Sequence, residues 1–240
     1  GYVDAPVRRK LRVAIAPTGE ELREGGADLN AGQIVETNGL MLAQLFSALP
    51  VEVTSLAVLP DDRARTIAAL SDAAAAHDLV VTTGGVSVGD HDHVRPALHA
   101  IGREHFWRLA IRPGKPVLFG EIGSAAFVGL PGNPVSAMVT FLLIVLPVVR
   151  VLAGASLAPD GGIPIRLAEP LRTPPTLRDF QRARLEWVGG VPVARPYRDQ
   201  SSNLITSLTQ ADGLIDLPPG PPALDAGALV TYRSFDSFFG

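Results

Sequence analysis

Two glycine-rich loops, each preceded by a short apolar run, constrain the fold of this chain more than any other feature. The first loop is Thr82–Asp92, after Asp78–Val81, and the second is Gly129–Ser136, after Ala125–Val128. Glycine lets the backbone turn sharply, so several N–H groups can point at one bound anion. Two such strand–loop–helix corners predict an open α/β sheet with a ligand site at the carboxyl ends of its strands.

Each loop also has an explanation that needs no ligand. Asp92 could cap a helix that begins near Val94, and Asn133 could cap a helix whose first residue is Pro134. Against this, Asp90 and Asp92 place two carboxylates beside the first glycine turn, where a bound anion would also require a cation. The first loop therefore indicates a phosphorylated ligand bound together with a divalent metal ion.

Apolar runs and helical periodicities alternate along the first part of the chain. This alternation predicts an α/β fold with a mostly parallel sheet sandwiched by helices. Short strand candidates separated by turns follow, so we expect a small all-β C-terminal domain. The predicted domains are residues 8–154 and 155–240, with a proline-rich linker over 159–175. Phe106–Ile111 is predicted as one strand, and Val135–Val149 as a helix buried in the core.

Charge and residue usage exclude several classes of protein. The 240 residues carry a net charge of −3, whereas a protein that binds a nucleic acid polymer presents a basic face. Cysteine is absent, which excludes disulfides, thiolate metal sites and cysteine nucleophiles. Val135–Val149 is shorter than the ~20 residues of a membrane span, and residues 1–10 lack the apolar core of a signal peptide. We expect a cytoplasmic protein that binds neither nucleic acid nor membrane.

Three carboxylates are candidates for a metal site. Glu21, Asp61 and Asp92 each follow the end of a predicted strand. Those ends share one edge in a parallel sheet, so distant residues can meet there, and hard oxygen ligands suit Mg²⁺. Taken singly, Asp61 and Asp92 could equally be helix caps, and Glu21 a solvated loop residue. Asp62 and Asp90 lie close by and compete for the same roles.

Two cations flank a Pro-Gly pair. Arg112 and Lys115 lie at the ends of a turn that proline and glycine make rigid, so both side chains could be directed at one oxyanion. An ordinary solvated turn would have the same sequence.

The histidines suggest little by themselves. His91 and His93 flank Asp92, and such a run could indicate a metal site. Neighbouring side chains on an extended chain diverge, however, and no zinc motif is present. We therefore expect oxygen ligands rather than histidine ligands.

Five short motifs, in this order, resemble those of the MoeA-type molybdopterin molybdenumtransferases, which are related to the E domain of gephyrin. They are Thr18–Leu22, Gly32–Asn38, Thr83–Asp90, Arg112–Pro116 and Leu130–Ser136. The resemblance covers residues 12–153, and residues 160–240 resemble the small C-terminal β domain of the family more loosely.

The resemblance implies a molybdopterin-binding fold and an enzyme of molybdenum cofactor biosynthesis. Such an enzyme inserts molybdate into adenylylated molybdopterin, releases AMP and uses Mg²⁺. It implies catalytic and metal-binding roles for Glu21, Asp61 and Asp92. It implies substrate binding by Gly84, Gly85, Ser87, Gly89, Asp90, Arg112, Lys115, Pro131, Gly132, Asn133, Pro134, Ser136, Arg182 and Ser202.

The resemblance also implies that the turn with Arg112 and Lys115 joins Ser136, Arg182 and Ser202 in an oxyanion pocket between the two domains. Two of these assignments have alternatives. Arg184 could take the place of Arg182 in binding the oxyanion. At the position of Ser201, next to Ser202, the family usually has glycine, so the role of Ser202 stays open.

The resemblance also implies partners and rival functions. Family members form homodimers and carry further domains before the matched region, so we expect about 150 or more preceding residues. Contact with the adenylyltransferase of the same pathway is a further expectation. One alternative function is a molybdopterin adenylyltransferase-like enzyme, which lacks the C-terminal β domain. The other is a non-catalytic molybdopterin-binding or scaffold module.

Overall fold

The structure, a computed structural model, describes residues 3–86, 92–156 and 161–239. Its first part is built on one six-stranded sheet. In chain order the elements are β1 (Leu11–Pro17), β2 (Leu22–Arg23), β3 (Ile34–Val35), α1 (Asn38–Ser47), β4 (Val51–Ser55), α2 (Arg63–Ala76), β5 (Leu79–Thr83), α3 (Val94–Ile101), β6 (Arg103–Trp107), β7 (Ile111–Arg112), β8 (Leu118–Ile122), β9 (Ala125–Leu130) and α4 (Pro134–Leu152).

The large sheet has the strand order β4-β1-β5-β9-β8-β6. The four strands from β4 to β9 are parallel, and β8 and β6 add an antiparallel edge. Side chains of β1 alternate between two cores: Val13 and Ile15 pack with α1 and α4, whereas Ala14 and Ala16 pack with α2 and α3. The predicted α/β fold, a mostly parallel sheet covered by helices on both faces, is confirmed.

Helix α4 is the apolar helix predicted from the sequence. It spans 19 residues with a π-helical stretch at Phe141–Val145, and by length and composition alone it could cross a membrane. Instead, Val135, Val139 and Val145 are fully buried against the sheet, and about half of the helix is buried in the protein. The apolar sequence is therefore explained by packing in the core.

The second part of the chain forms a closed barrel. The pairings run β13-β10-β16-β14-β12 and return from β12 to β13, with β7 added beside β12. The elements are β10 (Ile163–Leu167), β11 (Leu171–Arg172), β12 (Arg178–Val188), β13 (Val191–Pro196), α5 (Thr206–Gln210), β14 (Gly213–Leu217), β15 (Ala223–Leu224), β16 (Leu229–Ser234) and a 3₁₀ turn at Asp236–Phe238.

Two local predictions were wrong. The described part of the predicted linker 159–175, residues 161–175, is not a linker, because β10 and β11 lie within it. Ile165 and Leu167 alternate into the barrel core at the period of a strand. The predicted strand Phe106–Ile111 is two strands in two different sheets. Arg108 takes a positive φ of 72° and turns the chain, so that Ile111–Arg112 pairs with β12 of the barrel.

The barrel and the α/β layer share one apolar core. Phe180, Leu214 and Phe238 of the barrel part belong to the same buried cluster as Val135 and Leu142 of α4. This contact holds the barrel beside the carboxyl ends of the large sheet. The boundary between residues 154 and 155 stays a prediction.

Candidate functional site

A cleft of about 940 Å³ opens at the carboxyl ends of β1, β5 and β9. The chain leaves these strands at Thr18, Gly84 and Pro131, and all three residues line the cleft. Gln200 and Ser202 of the barrel part line it as well. The cleft therefore lies where ligands bind in open α/β sheets and is completed by the second part of the chain.

Close backbone approach makes Gly84 and Gly85 of the first loop necessary. Gly84 and Gly85 have φ values of +88° and +65°. A Cβ atom on Gly84 would lie 2.5 Å from the Thr18 carbonyl oxygen, and one on Gly85 would lie 2.6 Å from Val94 Cγ2. A larger residue at either position would therefore distort the cleft. Predicted site residues Ser87, Gly89 and Asp90 lie outside the described residues.

The second loop connects α4 to the barrel. Asn133 is the N-cap of α4 and Pro134 its first residue, but the Asn133 side chain makes no cap hydrogen bond. Its Nδ2 donates instead to Ser202 Oγ (2.9 Å), and the Val135 N–H donates to the Ser202 carbonyl (3.1 Å). Predicted residues Pro131, Gly132, Asn133, Ser136 and Ser202 all line the cleft, whereas Pro134 does not.

Asn38 joins the two loops and was not among the predicted site residues. Its Nδ2 donates to the Gly132 carbonyl (2.6 Å) and to Thr83 Oγ1 (3.2 Å), and the residue is 8% exposed. Its position at the end of the motif Gly32–Asn38 was the only signal in the sequence. Asn38 therefore fixes the separation of the glycine loops at the floor of the cleft.

The acidic group of the cleft consists of Glu21, Asp61 and Asp92, all of which line it. Asp62, rather than Asp61, caps α2 by accepting from the Arg65 N–H (2.8 Å), which leaves Asp61 at the cleft. The Asp61 carboxylate lies 3.0 Å from His93 Nε2, a contact that the sequence did not predict.

Asp92 does not cap α3. The N-cap position is His93, with no side-chain cap hydrogen bond, and Asp92 Oδ2 is buried without a hydrogen-bond partner among the described residues. A buried, unpartnered carboxylate oxygen is costly and so indicates a missing partner. In the described part of the chain, however, no three His, Asp or Glu side chains are grouped as a metal site. The structure thus lines one cleft with the predicted carboxylates without assembling them around one point.

The basic group of the cleft consists of Arg112 and Lys115. Arg112 forms a bidentate ion pair with the buried carboxylate of Asp179 on β12 (2.9 and 2.5 Å), which raises the pKa of the guanidinium above its ordinary value. Lys115 is exposed and forms no ion pair with another described residue. Gly114 packs the turn against α4, since an added Cβ would lie 2.3 Å from Thr140 Cγ2.

Arg182 is 1% exposed and does not line the cleft. Its guanidinium donates to the carbonyls of Asp199, Gln200 and Ser201 (3.0–3.1 Å) and to Ser207 Oγ (3.0 Å). Burial lowers the pKa of Arg182 to about 10. The side chain holds the segment that precedes Ser202. The rival residue Arg184 is exposed on β12.

Comparison with known proteins agrees with this arrangement. A family model described as a probable molybdopterin binding domain matches residues 14–151, and one described as the MoeA C-terminal region (domain IV) matches residues 164–235. The molybdopterin molybdenumtransferase of Haemophilus influenzae is 44% identical over 154 residues, which are 64% of this chain and 38% of that protein. Molybdopterin molybdenumtransferase 2 of Mycobacterium tuberculosis is 35% identical over 236 residues, 95% of this chain and 57% of that protein.

A solved structure gives the same result. The MoeA protein of Pyrococcus horikoshii superposes with a TM-score of 0.80 at 30% identity, over 94% of this chain and 55% of that protein. The chain spans about half the length of these relatives. The two family models match the two regions for which the sequence predicted a resemblance, residues 12–153 and 160–240. The resemblance is confirmed: the chain belongs to the MoeA-type family of molybdopterin-binding proteins.

Proposed function

We propose that this chain acts in molybdenum cofactor biosynthesis as a molybdopterin molybdenumtransferase, which inserts molybdate into adenylylated molybdopterin and releases AMP. One observation carries the proposal: a single cleft joins two glycine loops to both an acidic and a basic group of side chains. Phosphates need donors and cations, a divalent metal needs carboxylates, and a molybdate oxyanion needs cations and hydroxyls.

The glycine loops would hold the phosphorylated parts of the substrate. Gly84 and Gly85 bring backbone close to the cleft, and the N-terminus of α4 opens on it at Gly132 and Ser136. Backbone N–H groups at the start of a helix favour a bound phosphate. Asn38 would keep the two loops at the separation that one ligand requires.

The acidic group would bind Mg²⁺ together with the pyrophosphate of the substrate. Mg²⁺ keeps several waters and commonly takes only one or two carboxylates plus substrate phosphates, so a preassembled cage of three carboxylates is not required. The unpartnered oxygen of Asp92 is the observation that fits such an ion. When bound, Mg²⁺ would neutralise charge on the pyrophosphate. Glu21 and Asp61 would provide further oxygen ligands or orient bound water.

The basic group would bind molybdate. Lys115 provides an ammonium that forms no ion pair with another described residue, while Arg112 is held in place by Asp179. Hydroxyls of Ser136 and Ser202 lie in the same cleft. Arg182 would act indirectly, because its guanidinium is occupied by the carbonyls before Ser202.

The rival functions are less well supported. An adenylyltransferase-like enzyme is disfavoured because the match to the MoeA C-terminal region covers residues 164–235, where the barrel lies. A scaffold module without turnover would not require a cleft that holds both charge groups.

Family resemblance alone supports a cytoplasmic location, a homodimer and contact with the adenylyltransferase of the pathway. No binding of membrane or nucleic acid polymer is expected.

The test uses the only two lysines of the chain, Lys115 in the cleft and Lys10 on the exposed N-terminal segment. Molybdate and AMP with Mg²⁺ are titrated separately into the chain by calorimetry. Lys115→Ala should weaken molybdate binding at least about tenfold, because a charge-assisted contact is lost. The Lys10→Ala control should bind like the unaltered chain.

Two results would count against the proposal. Equal molybdate affinity in both variants would remove Lys115 from the oxyanion site. A folded chain that binds neither molybdate nor AMP would contradict the function itself.

A further inference from the structure

Trp107, at the end of β6, contacts Val86 of the first glycine loop and Arg95 of α3. Its indole Nε1 donates to the carbonyl of Val86 at 3.0 Å, and the guanidinium carbon of Arg95 lies 3.8 Å from the ring centroid. Val86 belongs to the first glycine loop and Arg95 to α3, which follows that loop, so one side chain joins the loop to the next helix. We infer that Trp107 is a positioning residue that sets the geometry of Gly84–Val86, in the first glycine loop, for ligand binding; the ligand rests on the function proposed above.

Val86 transmits this contact to the cleft. It lines the cleft, is 2% exposed, and packs so closely on β9 that a Cβ added to Gly129 would lie 2.6 Å from Val86 Cγ1. The side chain is fixed by β9 and the carbonyl by the indole. Because Gly84 and Gly85 are directly before Val86, a shift of this residue would shift the part of the loop that faces the ligand.

Two arginines hold the indole in its orientation. The Arg108 guanidinium carbon lies 4.1 Å from the ring centroid, at a backbone φ of +72°. A non-glycine residue adopts such a φ only where its surroundings hold it there, and it is the single case among the described residues. Arg95 is itself fixed by a bidentate pair with Glu104 (2.8 and 3.0 Å). The stack is therefore anchored on α3, β6 and the turn after β6.

A purely structural role would require only an aromatic ring, whereas positioning requires the indole N–H. Trp107→Phe keeps a ring for the two guanidinium groups and removes the donor to Val86. Trp187, the only other tryptophan, is 70% exposed on the barrel and provides the matched control Trp187→Phe. Both variants lose one indole, and only one of them loses a contact to the cleft.

The first experiment is hydrogen exchange on the complete chain. In Trp107→Phe, backbone amides of residues 84–86 and 92–94 should exchange at least about fivefold faster, because a contact that suppresses local opening is lost. Trp187→Phe should leave these residues unchanged. Unchanged exchange in Trp107→Phe would overturn the inference.

The second experiment separates positioning from general damage by two ligands. Calorimetry of Trp107→Phe should show about fivefold weaker binding of AMP with Mg²⁺ than in the unaltered chain. Molybdate binding should stay within about twofold of the unaltered chain, because the basic group of the cleft lies on other elements. A parallel loss of both affinities would indicate a merely structural residue and overturn the inference. If the unaltered chain binds no AMP, the proposed function fails, while the exchange data still decide the role of Trp107.

A second variant covers the case in which Trp107→Phe does not fold. Arg108→Gly removes one guanidinium from the ring and suits the positive φ, so the fold should tolerate it. The backbone amides of residues 84–86 should exchange faster in Arg108→Gly than in the unaltered chain, but by a smaller factor than in Trp107→Phe. Exchange equal to that of the unaltered chain would contradict the inference.

Discussion

Neighbouring carboxylates in this chain have separate tasks. Asp62 caps α2, whereas Asp61 faces the cleft and contacts His93. Asp92 was a candidate cap of α3, but the N-cap of that helix is His93. Asp92 Oδ2 is instead buried without a hydrogen-bond partner among the described residues. The type of residue is the same in all three cases, and only the local contacts distinguish a cap from a candidate ligand.

This difference predicts opposite behaviour for two substitutions. Asp92→Asn should weaken Mg²⁺-dependent AMP binding about tenfold with little change in the free energy of unfolding, since no hydrogen bond to Oδ2 is lost. Asp62→Ala should leave binding unchanged and lower the free energy of unfolding by about 0.5–2 kcal/mol, the usual cost of a lost N-cap. Titration calorimetry and urea unfolding of both variants check this. Full Mg²⁺-dependent binding by a destabilised Asp92→Asn would refute the metal role.

The turn Arg112–Pro116 is the element that carries the proposed molybdate site. It is held at one end by the ion pair from Arg112 to Asp179, and in the middle by contact of Gly114 with α4. Gly114 has a φ of +101° and no room for a side chain, whereas Gly123, between β8 and β9, has a φ of +59° and open space around it. Comparing substitutions at these two glycines therefore separates the effect of backbone strain, which both positions have, from the effect of packing, which only Gly114 has.

Alanine at these two glycines should give different results. Gly123→Ala should lower the free energy of unfolding by about 1 kcal/mol, the cost of a left-handed backbone for alanine, and leave molybdate affinity intact. Gly114→Ala should cost about 1–3 kcal/mol more because of overpacking against Thr140, and should weaken molybdate binding. Denaturant unfolding and calorimetry measure both effects. Equal losses at the two positions would show that the contact with α4 does not position the turn.

At the scale of the whole molecule, the barrel and the α/β layer are joined by a common core. Phe180, Leu214 and Phe238 are buried in the same cluster as side chains of α4 and β1. The ion pair between Arg112 and Asp179 adds a polar contact across the same junction. Because residues of both the α/β layer and the barrel part line the cleft, the stability of the protein and its ligand binding should both depend on this junction.

A truncation of the shared core tests this coupling. Phe238→Ala should remove about 3 kcal/mol of stability, typical of a large buried aromatic residue, and should lower the midpoint of a single cooperative transition. The expected observation in scanning calorimetry is one peak in both proteins, shifted in the variant. Two resolved peaks, of which only one moves, would show that the parts unfold independently.

Local rules of the chain determined much of the fold. Apolar periodicity predicted the sheet and the buried α4, and glycine and proline predicted both loops and the turn at Arg112, because these signals act within a few residues. The same rules failed for 159–175, where alternating apolar residues outweighed the prolines, and for 106–111, where Arg108 redirects the chain. Motif order was sufficient to identify the family.

The tertiary structure alone decided how the side chains are paired. Asn38 reaches Gly132 across 94 positions of sequence, and Arg112 reaches Asp179 across 67. No local pattern in the sequence indicates contacts between such distant residues. Asn38 was therefore not predicted as a site residue, Arg182 was expected to bind substrate only because of the family resemblance, and His93 was expected to be uninformative. A hydrogen bond depends on distances of about 3 Å between atoms that only the complete packing brings together. Residue type therefore specified the chemistry available to the cleft, and the fold decided which groups face it and which hold it in place.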